Sequence, residues 1–201
     1  MTAVPTRSVL SRGAVPLLDE HHLVVVAEAM GDRRAFARGL AGELEPMPET
    51  RVVQLNTAED QSIEGICRQL EGQLGHRRLA HRRRIQRSTA GLIDFLRDFA
   101  FDEKRQYFIW EEADALLEAD VRLFGRVANA LLGAAAEREY VSAERLVLQR
   151  VIFLGGDKLG AYAEESAGQF CSWELDDGSC PFLSVLPFVS RPSILTVRLD
   201  G

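Results

Sequence analysis

Short apolar segments alternate with amphipathic segments along most of the chain, which is the pattern of strands that alternate with helices. Residues 23–27 read LVVVA, a continuously apolar and largely β-branched segment of the kind found in strands buried on both faces of a parallel sheet. Similar segments predict further strands at residues 51–55, 107–110, 146–154, 170–175 and 194–199.

Apolar residues at three- and four-residue spacing predict helices between these strands. The predicted helices cover residues 33–44 and 63–74, a segment that begins after Ser88 or Thr89 and ends near Asp102, and residues 121–139. Because strands and helices alternate through short connections, right-handed βαβ crossovers are expected. The predicted fold class is therefore α/β, with three layers (α/β/α) around a mainly parallel central sheet.

Length and composition indicate the number of domains and the cellular compartment of the protein. With 201 residues, 46% of them apolar, the chain is predicted to form one substantial core. Residues 1–20 carry two prolines and are predicted to form an N-terminal arm, and residues 21–201 a single domain with a strand-rich C-terminal tail. The three cysteines lack C-x-x-C spacing, no apolar signal segment opens the chain, and no apolar run approaches about 20 residues. These features favour a cytoplasmic protein without a membrane span.

Two adjacent glutamates, Glu111 and Glu112, follow the predicted strand in the segment YFIWEEADALL. Carboxylates at this position suit the N-terminus of the next helix, where they interact favourably with its dipole. They also suit a site in which one acid holds a magnesium ion and the other polarises water, but such a site requires a phosphate cradle. Both interpretations remain open at this stage.

The order of the elements and two motifs resemble the core of AAA+-type P-loop NTPases over residues 23–173. In the branch with bacterial-type transposition ATPases and ExeA-like secretion ATPases, the Walker B strand continues as D-E-A-x-x-L, and this chain has EEADAL from Glu111. The segment VIFLGG at residues 151–156 resembles the strand that ends in the sensor-1 residue. The resemblance implies ATP and magnesium as cofactors, with Glu111 on the metal and Glu112 on the water.

The phosphate-binding loop departs from the family pattern, G-x-x-x-x-G-K-[ST]. The chain reads EAMGDRRA after the first strand, which places Glu28 at the first glycine, Gly31 at a common additional glycine, Arg33 at the second glycine, Arg34 at the lysine and Ala35 at the hydroxyl. Such a loop lacks the small residues that let backbone N–H groups approach phosphate, and the hydroxyl that binds magnesium. We expect no hydrolysis, no bound cofactor and only a vestigial Walker B site.

A second register of the same loop puts Gly31 at the second glycine, Asp32 at the lysine and Arg33 at the hydroxyl, and it is no closer to the pattern.

Trp110 directly precedes the acids, and its indole is predicted to cover the vacated nucleotide cleft. Fewer than 50 residues follow Gly156, and their proline-broken, strand-like sequence predicts no helical lid.

A basic segment, GHRRLAHRRRIQR, is the second candidate for function. It has two interpretations: a solvated segment that offsets the acidic remainder of the chain, or an interaction surface in which planar guanidinium groups bind acidic or phosphate groups. The net charge of −6 favours a protein over DNA as its partner. The arginines of this segment are Arg77, Arg78, Arg82, Arg83, Arg84 and Arg87.

These observations together predict a degenerate, non-hydrolysing AAA+-like protein that acts as an interaction, scaffold or regulatory subunit of a larger assembly. Its partner would be another protein or a homologous ATPase subunit. The alternatives are an active ATPase with an atypical phosphate loop, in which Arg34 takes the lysine role, and a DNA-binding accessory subunit that uses the arginines of residues 77–87. The histidines show no metal-ligand spacing and no serine lies in a nucleophile motif, so neither a metal site nor covalent catalysis is expected.

Overall fold

The computed structural model describes residues 18–21, 23–28, 33–74, 85–98, 103–141, 148–166 and 194–199. The strands are β1 (Leu23–Glu28), β2 (Thr50–Asn56), β3 (Arg105–Glu111), β4 (Leu148–Gly155) and β5 (Ile194–Leu199). The helices are α1 (Arg33–Leu44), α2 (Ile63–Leu74), α3 (Thr89–Asp98), α4 (Ala113–Ala119), α5 (Val121–Val141) and α6 (Asp157–Ser166).

The five strands form one sheet in the order β2-β3-β4-β1-β5, and every neighbouring pair is parallel. In its centre Leu23 of β1 lies opposite Val151 of β4, and Phe108 of β3 also lies opposite Val151. Parallel strands need crossover connections, and the helices between successive strands supply them. The predicted α/β class with a parallel central sheet is confirmed.

Alternation along the strands divides the core between the two faces of the sheet. Phe108 and Trp110 of β3 belong to the cluster that helices α2 to α6 cover, whereas Tyr107 and Ile109 belong to a smaller cluster with α1. Helix α1 contributes its buried residues Ala37, Leu40, Ala41 and Leu44 to that smaller cluster. The sheet is therefore covered on both faces, as in the predicted three-layer arrangement.

Most predicted elements agree with the structure, and the differences are one boundary between helices and one helix that was not predicted. The predicted helix 121–139 is preceded by the short helix α4, and Asp120 separates the two because its Oδ1 accepts hydrogen bonds from the N–H groups of Arg122 and Leu123. Such a side-chain cap begins a new helix. Helix α6 was not predicted; it follows β4 directly and buries Leu159 and Ala163 on the sheet. The strand predicted at 170–175 lies outside the described residues.

The last residues of the predicted N-terminal arm contact the sheet. Leu18 is 1% exposed and packs in the cluster with α1. The Tyr107 hydroxyl donates to Asp19 Oδ1 at 2.6 Å, and Arg150 Nε donates to the Asp19 carbonyl at 3.0 Å. Burial, followed by this contact with Asp19, raises the pKa of Tyr107 above its ordinary value.

None of the helices in the described ranges is long and apolar enough to cross a bilayer.

The packing of Leu18 predicts that the end of the arm contributes to stability. Leu18→Ala is expected to lower the free energy of unfolding by about 2–5 kcal/mol, since it removes buried methyl groups and leaves a cavity. Chemical denaturation measures the change. Val121→Ala is the control, because Val121 is 51% exposed and its truncation is expected to change the free energy by less than about 0.5 kcal/mol. Equal effects of the two substitutions would contradict the packing of Leu18.

Candidate functional site

The carboxyl ends of β1, β3 and β4 meet at one edge of the sheet because these strands are parallel and adjacent. Helix α1 follows β1 and covers one face, whereas α6 follows β4 and covers the opposite face. In open α/β sheets a crevice forms where successive connections go to opposite faces, and ligands bind there. The candidate site is therefore the edge above β1 and β4. Residues 29–32, which connect β1 to α1, lie outside the described residues.

Arg33, the first residue of α1, forms ion pairs with two acids at this edge. Its Nη1 lies 2.7 Å from Glu112 Oε2 and 3.0 Å from Asp114 Oδ2. The three side chains are only 13–32% exposed, which strengthens the attraction relative to a pair in water. This arrangement, the Arg33 clasp, joins α1 to Glu112, which follows β3, and to Asp114 in the first turn of α4.

Two glycines at the end of β4 make room for the clasp. The Gly156 N–H donates to Asp114 Oδ2 at 2.8 Å, so the same carboxylate oxygen accepts from α1 and from the end of β4. A Cβ atom at Gly156 would lie 2.7 Å from Arg33 Nη2, and one at Gly155 would lie 3.2 Å from Asp114 Cγ. The paired glycines therefore let the guanidinium and the carboxylate approach the backbone.

Glu112 has a backbone conformation that is uncommon for residues other than glycine. Its φ of 50° and ψ of 41° lie in the left-handed region, where the chain leaves β3 and turns into α4. The Glu112 carbonyl accepts a hydrogen bond from the Thr57 hydroxyl at 2.8 Å and another from the Ala115 N–H at 3.0 Å. These two bonds hold the turn whose side chain reaches Arg33.

Glu111 has a different environment from its neighbour. It is 6% exposed and accepts a hydrogen bond from Asn56 Nδ2 at 3.2 Å. Burial raises the pKa of the Glu111 carboxyl above its ordinary value, and Glu112 adds to this, while Asn56 and the guanidinium groups of Arg34 and Arg38 act in the opposite direction. The two glutamates that are adjacent in sequence are thus one buried acid on the sheet and one acid in an ion pair.

The prediction that Trp110 covers the cleft is wrong. Its side chain is fully buried among Phe124 and Phe153, with ring centroids 5.4 and 5.1 Å away, on the face that α5 covers. The indole Nε1 donates to Thr57 Oγ1 at 3.0 Å. The reason is the strand alternation: a residue between Ile109 and Glu111 lies on the face opposite to α1. The side chain that forms ion pairs with Glu112 and Asp114 at this edge is that of Arg33.

The other predicted site residues are distributed as follows. Arg34 is exposed on α1, and Gly31 lies outside the described residues, as do Arg77, Arg78, Arg82, Arg83 and Arg84. Arg87 is described, and its Nη2 pairs with Glu71 Oε2 of α2 at 2.8 Å.

Glu71 also accepts a hydrogen bond from the Ile85 N–H at 2.6 Å, so Ile85 and Arg87 together hold the residues before α3 against α2.

Sequence reasoning assigned no role to Asp114 or Gly156. The pair of glycines at the end of a buried strand was the sequence feature that could have indicated a close approach of side chains to the backbone at this edge.

Comparison with known proteins supports the fold. No family model and no curated protein matches this chain. Among solved structures, the ORC2 protein of Aeropyrum pernix in its ADP form has a TM-score of 0.53 and 12% identity, over 98% of this chain and 50% of that one. A structure of the same protein in ADPNP–ADP complexes has a TM-score of 0.50 and 14% identity, over 98% and 49%.

Cdc6p of Pyrobaculum aerophilum has a TM-score of 0.44 and 15% identity, over 92% of this chain and 41% of that one. The chain thus spans half or less of the length of these proteins. Identities this low show the fold alone, and the two ORC2 structures, with TM-scores of 0.53 and 0.50, support the predicted α/β fold with a parallel central sheet. The AAA+-type P-loop family and its transposition or secretion branch remain predictions.

The buried environment of Glu111 predicts a pH-dependent effect on stability. Because the folded state raises the pKa of this carboxyl, the ionised form destabilises the protein once the pH exceeds the ordinary value of about 4.5. Glu111→Gln is expected to raise the Tm at pH 8, and the gain should shrink as the pH falls towards 4. Thermal denaturation of both proteins across this range measures it, with the exposed Glu59→Gln as the control. A lower Tm of Glu111→Gln at pH 8 would contradict the pKa shift.

The Arg33 clasp predicts a second change in stability. Arg33→Met keeps most of the aliphatic length but leaves Glu112 and Asp114 without their cation, so the free energy of unfolding should fall by about 1–3 kcal/mol. Arg68→Met is the matched control, since the Arg68–Asp60 pair is more exposed and exposed pairs contribute little. Urea denaturation compares the variants, and the clasp would be refuted if the two substitutions had the same effect.

Proposed function

We propose that this chain is a non-hydrolysing AAA+-like module that acts as an interaction, scaffold or regulatory subunit of a larger assembly. The observation that carries the proposal is the Arg33 clasp. In a working site of this kind the acids after the Walker B strand face a magnesium ion and a water molecule. Here Glu112 pairs with a guanidinium group of the same chain.

The residues at this edge do not fit magnesium and ATP. The resemblance assigns magnesium to Glu111 and the attacking water to Glu112, but Glu112 is already paired with Arg33 at 2.7 Å. Position 35 is an alanine and supplies no hydroxyl to bind magnesium. Nucleotide binding would therefore have to break ion pairs before it formed its own contacts.

A ligand-independent clasp suits a subunit that keeps one conformation. In the proposed module, Arg33 joins α1 to α4, and Asp114 joins both to the end of β4 through the Gly156 N–H. These contacts hold together the parts of the fold that a nucleotide would otherwise bridge. A partner protein or a homologous ATPase subunit would then meet a preformed surface whose shape does not depend on ATP.

The experiment is calorimetric titration with ATP and magnesium, together with a phosphate-release assay. The proposal predicts no saturable binding at millimolar nucleotide and no hydrolysis above buffer. The wild-type chain is measured beside Arg34→Ala, Arg38→Ala and Glu112→Gln, and all four proteins should behave alike.

The alternative is an active ATPase in which Arg34 takes the lysine role and Glu112 polarises water. It predicts binding or hydrolysis by the wild-type protein that Arg34→Ala or Glu112→Gln abolishes. Arg38→Ala, one turn further along the exposed side of α1, should leave that activity intact. This pattern of results would overturn the proposal.

A further inference from the structure

The edge of the sheet formed by β2 is covered by side-chain amides. Of the strands that the structure describes, β2 lies at one end of the sheet and pairs only with β3. An edge strand presents unpaired N–H and C=O groups, which are a template for an additional strand from another chain. Two glutamines of α2, Gln69 and Gln73, bind these groups.

Each glutamine binds one residue of the strand through both of its backbone groups. The Gln54 N–H donates to Gln73 Oε1 at 2.7 Å, and Gln73 Nε2 donates to the Gln54 carbonyl. The Asn56 N–H donates to Gln69 Oε1 at 2.8 Å, and Gln69 Nε2 donates to the Asn56 carbonyl at 2.7 Å. The two amides thus make the hydrogen bonds that a neighbouring strand would make.

The spacing of the two glutamines matches the spacing of the strand. Residues four apart on a helix are separated by about 6.0 Å along its axis, and residues two apart on a strand by about 6.6 Å. Alternate strand residues direct their backbone groups to the same side, so Gln54 and Asn56 both face away from β3. Helix α2 runs antiparallel to β2 beside this edge, and Arg51 also donates to the Gln73 carbonyl.

We infer that Gln69 and Gln73 close the β2 edge against strand addition by a second copy of this chain. An incoming strand would have to displace four hydrogen bonds that are already made within the molecule. Strand pairing at this edge would therefore add little net free energy of hydrogen bonding. The inference goes beyond the proposed function and holds whether or not the cleft binds nucleotide. With the β2 edge closed, copies of this protein or its partners would have to bind at other surfaces.

The test is the double variant Gln69→Ala/Gln73→Ala, with Gln61→Ala as the matched control. Gln61 also donates through its amide to backbone carbonyls, those of Thr57 and Ala58, but these lie in the loop after β2 and not on the strand. Hydrogen exchange at low protein concentration should show amide exchange of Gln54 and Asn56 about fivefold faster in the double variant than in the wild-type protein. The control should leave both rates unchanged.

Sedimentation at increasing protein concentration gives the second readout. The weight-average mass of the double variant should rise above that of the wild-type protein towards twice its value, whereas Gln61→Ala should follow the wild type. Adding Gln54→Pro to the double variant should restore the wild-type mass, because proline removes the N–H that a new strand would need while its position faces away from β3.

Unchanged exchange rates of Gln54 and Asn56 in the double variant would overturn the claim that the two glutamines close the β2 edge. Faster exchange without added association would overturn the claim that the amides keep a second copy away. Association that persists with Gln54→Pro would place the new contact elsewhere and would also overturn the inference.

Discussion

The parallel alignment of β1, β3 and β4 is the constraint on which the rest of this molecule depends. Because all three strands run the same way, their carboxyl ends and the residues that follow them meet at one edge. Acids that follow β3 and the helix that follows β1 are then forced together. Arg33 pairs with both Glu112 and Asp114, and the Gly156 N–H donates to Asp114. The electrostatic state of this edge thus follows from the topology.

The two acids after β3 illustrate how environment separates residues that look alike in sequence. Glu111 is still part of the strand, so alternation directs it to the face that α1 covers, where burial disfavours its charge. Glu112 adopts a left-handed conformation and leaves the sheet, and its carboxylate pairs with Arg33. One hydroxyl, that of Thr57, connects this turn to the core, since it donates to the Glu112 carbonyl and accepts from Trp110. The site and the packing of the core are therefore coupled.

Hydrogen bonding by side chains also sets the limits of the sheet. At the β2 edge the amides of Gln69 and Gln73 take the place of a neighbouring strand. Near the amino ends of β3 and β4, the Tyr107 hydroxyl and the Arg150 guanidinium bind Asp19. In both places groups that are distant in sequence satisfy polar atoms that the fold would otherwise leave open. The same principle accounts for the clasp, where charged groups that would be costly to leave unpaired find partners within the chain.

The sequence by itself determined the strands that the structure describes, most of the described helices and the α/β class, because hydrophobic periodicity and side-chain size act locally along the chain. The resemblance to P-loop NTPases placed Arg33 and Arg34 in the loop after the first strand, and Glu111 and Glu112 at the end of the Walker B strand. Only the tertiary structure decided which of them touch. Arg33 and Asp114 are far apart in sequence, so no local pattern pairs them, and the role of Trp110 depended on which face its strand position took. Helix α6 was missed because its polar, weakly periodic sequence becomes helical against a sheet that the sequence does not display.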